Sequence, residues 1–240
     1  MNHTLQKKSL ENISKVIIVA SGKGGVGKST VSSLIAMQLS ANGKKVGLLD
    51  ADIYGPSIPT IFNVDDQFPE AIDGKFEPVK SSNISIMSIG FLVKSGAALA
   101  WRGPMLSKSL NQILFSTNWG ELDYLIIDMP PGTGDIHITI AQRCKIDYVV
   151  IVSTPDKISL KDVERAIDLY QKLGLKISGI VQNMSYINSE NSKISLFGND
   201  LNHFAKSKKI EIIANLPLIP NLSDDFEKYS LKDLQINFDF

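Results

Sequence analysis

Cysteine is nearly missing from this sequence: Cys144 is the one thiol in 240 residues. A disulfide framework within the chain is excluded, and a reducing compartment fits. Net charge is missing too, with 25 Lys plus Arg against 25 Asp plus Glu. Tracking a nucleic-acid backbone by overall charge is therefore disfavoured, and no nucleic-acid partner is expected. No apolar run reaches the length of a transmembrane helix, and the opening MNHTLQKKSLENISK lacks the apolar stretch of a secretion signal. These absences predict a cytoplasmic protein with no membrane partner. No repeat or low-complexity tract interrupts the chain, and a core of this size forms without disulfide or metal staples.

What is present is an alternation of short apolar runs and amphipathic stretches. Val16–Ala20, Val46–Leu49, Leu125–Ile127, Tyr148–Val152, Ile177–Val181 and Ile212–Ala214 read as buried strands rich in β-branched residues. Ser29–Asn42, Leu160–Leu173 and Leu201–Lys208 read as helices, the first with Val31, Leu34, Ile35 and Leu39 on one face. Strand–helix alternation predicts an α/β fold in three layers, a mostly parallel sheet with helices on both faces. We expect a single domain over residues 1–240, with a flexible segment at 1–14. The proline-rich stretch 53–101 reads as an insertion near the site, and Tyr186–Phe197 as an exposed polar loop.

One motif carries chemistry outright. Gly22-Lys23-Gly24-Gly25-Val26-Gly27-Lys28-Ser29 matches G-x-x-x-x-G-K-[ST], with a strand expected before it and a helix after it. Glycines let the loop curl so that successive amides face phosphate oxygens, and the helix start adds its positive dipole end. Lys28 would reach the outer phosphates, and Ser29 would ligate Mg²⁺. Asp128 ends a strand and opens Asp-Met-Pro-Pro-Gly-Thr-Gly-Asp, placing a carboxylate where it would hold Mg²⁺ through water. Gly132 and Gly134 would let that turn respond to the outermost phosphate. Of the two acids in Leu49-Asp50-Ala51-Asp52, Asp52 is the candidate for orienting or activating an attacking water. Asp50 is the candidate for supporting the loop or the metal's surroundings.

Several stretches together resemble the Mrp family of the MinD/ParA deviant Walker A superfamily. They are Ala20–Thr30, Leu49–Ser57, Trp101-Arg102-Gly103-Pro104-Met105, Trp119–Tyr124 running into Asp128–Asp135, and Gln182-Asn183-Met184-Ser185-Tyr186. The resemblance implies a P-loop ATPase that hydrolyses ATP slowly, works as a homodimer, and binds iron–sulfur clusters that it passes to recipient apoproteins. It implies nucleotide phosphates at Gly22–Thr30 and adenine near Asn183. Lys23 would reach across the dimer to the partner's phosphates, doing the work of an arginine finger.

The sequence departs from that family in three places. The family carries a C-x-x-C pair after Asn-Met-Ser-Tyr, whereas residues 187–198 contain no cysteine. Ser, Asn and Glu are hard ligands and replace thiolate on iron poorly, so no cluster ligands are assigned. Cys144 reads as an ordinary small residue. Ile219 stands where relatives place an Asp. About fifteen residues precede the P-loop strand, so an N-terminal domain and its delivery role are expected to be absent. Alternatives are a nucleotide-switched dimeric scaffold without a cluster and a ParA- or MinD-like positioning ATPase. Against the last, the tail Ser223–Phe240 carries Asp224, Asp225, Glu227, Asp233 and Asp239 against Lys228 and Lys232, a balance that anionic lipid repels.

Overall fold

The computed structural model describes residues 10, 12–92, 103–189, 192–220, 222, 226, 236 and 237, without the side chains of 103–108. Among these residues nine strands form one sheet. Its centre is β1 (Ile13–Ala20), flanked in parallel by β7 (Leu122–Asp128) and β8 (Tyr148–Ser153). Outward from β7 follow β2 (Val46–Asp50) and β6 (Ile84–Ser88), both parallel, and then antiparallel β5 (Val79–Ser81). Outward from β8 lies β9 (Ile177–Ser189), which pairs in parallel with β11 (Ile212–Pro217) and antiparallel with β10 (Ser192–Ser195). A separate ribbon joins β3 (Ala71–Ile72) to β4 (Lys75–Phe76).

Side chains alternate between the sheet faces with period two, and the core divides accordingly. Ile18, Ala20, Leu49, Ile127 and Ile151 pack on one face with four helices: α4 (Gly103–Phe115), α5 (Asp135–Arg143), α6 (Leu160–Lys172) and α7 (Asp200–Lys208). Ile17, Val19, Leu48, Ile126 and Val150 pack on the other with α1 (Lys28–Ala41) and α2 (Ile58–Ile61). The short α3 (Ile89–Leu92) follows β6. Ile17 and Ile18 are both wholly buried, and burying each contributes about 1.5–3 kcal/mol. Strands covered on both faces read as unbroken apolar runs, which is why they were visible in the sequence.

Three expectations change. The segment 1–14 is not wholly a loose leader: Ile13 and Ser14 already belong to β1, and Leu10 is buried; residues 1–9 lie outside the described residues. The stretch 53–101 sends β5 and β6 into the main sheet, because Ile84 and Ile86 bury against α1 and α2 while Ser85 and Ser88 find polar partners; residues 93–101 lie outside the described residues. Tyr186–Phe197 is no loop but the end of β9 turning into β10, with Ile187 opposite Ile194 and Asn188 opposite Lys193. Among the described residues no helix is long and apolar enough to cross a membrane.

Parallel strands deliver their carboxyl ends to one edge, where ligands of such sheets bind. Asp50 and Asp128 stand side by side there on β2 and β7, and Val19 of β1 neighbours Asp128.

Candidate functional site

The loop from Ser21 to Gly27 connects β1 to α1 and borders a cavity of about 370 Å³. Lys23, Gly24, Gly25, Gly27, Lys28, Ser29 and Thr30 line it, together with Asp52 and Pro131. Gly22 and Val26 belong to the loop but do not line the cavity. A Cβ on Gly22 would stand 2.2 Å from the Asp162 carbonyl carbon, so only glycine lets the loop lie against α6. Gly27, at φ 79°, starts α1 from the left-handed region, and its carbonyl accepts from Val31 N at 3.0 Å.

Lys28 is buried at the centre. Its Nζ donates to Asp128 Oδ2 at 2.8 Å and lies 3.7 Å from Asp52 Oδ2. Asp128 is wholly buried and also accepts from Ser29 Oγ at 2.6 Å and Ser32 Oγ at 2.6 Å. A Ser hydroxyl and a carboxylate are hard oxygen donors that suit Mg²⁺, which keeps several waters and draws its remaining ligands from phosphates. Among the described residues no group of three or more His, Cys, Asp or Glu is placed to hold a metal.

The two acids after β2 take different positions. Asp50 is wholly buried and accepts from the amides of Asp52 at 3.1 Å and Ile58 at 3.2 Å and from Ser88 Oγ at 3.1 Å, bracing the turn between β2 and α2. Asp52 faces the cavity, and its Oδ1 accepts from Tyr54 N at 3.2 Å. Burial, then the nearby Asp128 charge, push the Asp50 carboxyl up to about 7, with Lys28 acting against both. Between its ordinary value and about 7 the native state keeps a proton that the unfolded chain has released, so this group's contribution to stability declines as pH rises through that window.

His137, in α5, has the opposite linkage: burial chiefly lowers it to about 4. Below about 6.5 the unfolded chain gains a proton that the native ring refuses, so stability falls on acidification. The two slopes oppose each other. Asp50→Asn removes one of them, and its melting temperature should drop more steeply than wild type from pH 6.5 to 4.5. Parallel melting curves would refute the assignment.

Asp156, which the sequence reading did not single out, is where Lys23 is held. Lys23 Nζ donates to Asp156 Oδ2 at 3.1 Å across the mouth of the loop. Asp156 is fixed in turn by the hydroxyls of Ser159 and Thr154 and the Ser159 amide. Burial works to raise its carboxyl, but those hydrogen bonds and Lys23 outweigh it and hold the group far below the usual carboxylate range. Its signal in the sequence is the Ser-Thr-Pro-Asp turn ending β8, legible only once Lys23 is known to lie beside it. Asn183 does not line the cavity: its Nδ2 donates to the Val26 carbonyl at 2.9 Å, and Met184 beside it has φ 53°. Trp101 and Arg102 lie outside the described residues.

Residues 12–234 match the NUBPL iron-transfer P-loop NTPase family of the ParA group. The chain belongs to this family. An iron-sulfur cluster carrier protein of Rickettsia conorii is 52% identical over 222 residues, covering 92% of this chain and 67% of that protein. The NUBPL-family chain thus spans about two thirds of that relative's length. A nucleotide-binding protein of Archaeoglobus fulgidus, in complex with ADP, superposes with a TM-score of 0.78 at 39% identity, over 94% of this chain and 88% of that one. MinD of Aquifex aeolicus superposes at 0.60 with 26% identity, over 88% and 85%. In this NUBPL-family chain the P-loop follows β1 at the sheet edge where Asp50 and Asp128 meet.

Proposed function

We propose that this chain is a homodimeric, ATP-hydrolysing carrier that binds iron–sulfur clusters and passes them to recipient apoproteins. Membership of the family is what supports the carrier reading, and the Lys28–Ser29–Asp128 arrangement supports ATP and Mg²⁺ as its working ligands. Loop amides, the α1 dipole and Lys28 would neutralise the triphosphate. Ser29 and Asp128 would hold Mg²⁺, which spreads charge over the β- and γ-phosphates. Asp52 would orient the attacking water, with slow turnover set by positioning. Lys23, once released from Asp156, would place its charge on the partner's phosphates. Adenine would lie near Asn183, whose amide also braces the phosphate loop at the Val26 carbonyl.

The cluster is cargo, and its soft ligands come from outside this chain. Cys144 is wholly buried at the end of α5 and donates to the Lys145 carbonyl at 3.5 Å, so no thiol of this chain reaches a cluster at the surface. Anaerobic reconstitution with iron and sulfide tests this. The chain with a cysteine-bearing apo-recipient should retain colour and iron after desalting, whereas the chain alone should not, and Cys144→Ser should change neither result. A cluster retained by the chain alone would overturn the ligand assignment. ATP hydrolysis with no cluster under either condition would favour the nucleotide-switched scaffold, the reading to which the missing C-x-x-C pair points.

A further inference from the structure

His137 is 1% exposed, and its Nδ1 lies 2.7 Å from the Tyr170 hydroxyl of α6, with the rings edge to face at 5.9 Å. Its other nitrogen, Nε2, is one of three buried side-chain polar atoms without a hydrogen-bond partner among the described residues. The Pro130 carbonyl is close enough to favour a charged ring, yet no hydrogen bond closes on Nε2 in this conformation. A buried polar ring nitrogen left without a partner is unfavourable whether it carries the proton or not, and native folds rarely tolerate one without a reason.

We propose that His137 is a positioning residue of the nucleotide switch, whose Nε2–H bonds the Pro130 carbonyl when the phosphate-facing loop closes and so ties that loop to α6. This rests on reading the chain as an ATP-driven switch.

The geometry supplies both ends of the connection. Pro131 lines the cavity, with its ring 4.0 Å from where a Cβ on Gly24 would stand. The Pro130 carbonyl and the Pro131 nitrogen belong to one planar peptide, so a phosphate that shifts Pro131 also tilts the carbonyl toward or away from His137. Gly132 N, bonded to the Ser21 carbonyl at 2.9 Å, anchors the far side of the turn to the P-loop.

On the other side, Tyr170 is wholly buried and its hydroxyl stays protonated, because burial pushes it well above the ordinary phenol range. A neutral phenol can donate its proton to Nδ1, and the proposal takes that arrangement, which places the ring proton on Nε2, the tautomer needed to meet a carbonyl. Helix α6 touches Gly22 through Asp162, and the turn before it carries Asp156, the partner of Lys23. The helix that meets His137 is therefore continuous with the turn that must let Lys23 go.

Histidine-selective ¹⁵N NMR on the full chain tests this without a variant, since only His3, His137 and His203 contribute. Mg²⁺ with a non-hydrolysable ATP analogue should move the His137 Nε2–H signal downfield and slow its exchange with solvent, whereas Mg-ADP should not. Identical signals in both states overturn the proposal. Kinetics give an independent readout. His137→Leu should lower kcat for ATP about ten-fold at unchanged KM, and His137→Gln, whose amide can still donate to a carbonyl, should recover most of it. Equal losses in both variants mark a packing role and overturn the proposal. Calorimetric heat with the analogue but no His137 response refutes this inference alone; no heat at all refutes the nucleotide reading beneath it.

Discussion

Lys28→Ala should release no calorimetric heat with Mg-ATP and gain no thermal protection from it. The lysine is buried between Asp128 and Asp52, at 2.8 Å and 3.7 Å, where a cation interacts far more strongly than at a surface. Losing one partner of a buried charged contact costs about 2–5 kcal/mol, which weakens binding by roughly thirty- to several-thousand-fold. The variant carries a second signature. Lys28 is the charge that opposes the upward push on Asp50, so its loss raises the native proton affinity of that acid further. Lys28→Ala should therefore be more destabilised relative to wild type at pH 8 than at pH 5. Normal ATP affinity in a folded Lys28→Ala protein would remove the basis for the nucleotide site.

Lys23→Ala should behave differently. Its ammonium lies at the rim, 35% exposed and engaged by Asp156, so deleting it leaves nucleotide binding largely intact. Turnover should fall by about 10³-fold, the lower end of what a charge supplied in trans contributes to phosphoryl transfer, and nucleotide-dependent dimer tightening should disappear. Asp156→Asn provides the converse. A partly exposed ion pair is worth about 1 kcal/mol or less, so freeing Lys23 should raise nucleotide-dependent dimerisation by no more than several-fold, read by analytical ultracentrifugation with a non-hydrolysable analogue. Equal loss of ATP affinity in Lys23→Ala and Lys28→Ala would sink the trans role.

These residues differ in how visible they were before the fold was known. The buried strands and the P-loop announce themselves locally, since β-branched runs and a glycine–lysine spacing need no distant information. Asp156 lies 133 residues from Lys23, and an Asp in a Ser-Thr-Pro-Asp turn is unremarkable until the sheet brings β1 and β8 together. The end of β9 with β10 was hidden for another reason. Its residues are solvated on both sides, and Asn, Ser and Lys in a two-stranded extension carry none of the apolar pattern that marks a covered strand. Asn183 was expected near the adenine, and the bond it makes in the structure is to the loop carbonyl of Val26. Sequence could not reveal that, because Asn183 and Val26 stand 157 residues apart in the chain. The division of roles between Asp50 and Asp52 likewise depends on which of them turns toward the cavity beside Lys28.

Position 22 joins two parts of the molecule that a linear reading keeps separate. A single methyl group there would press on the backbone of Asp162, 140 residues further along the chain, and would have to lift α6 away from the loop to fit. The first visible fault would be an inability to grip a nucleotide, although every group that faces the nucleotide would be intact. In this architecture the absence of a side chain acts as a bearing surface, and wear at that point would be mistaken for damage to the jaws.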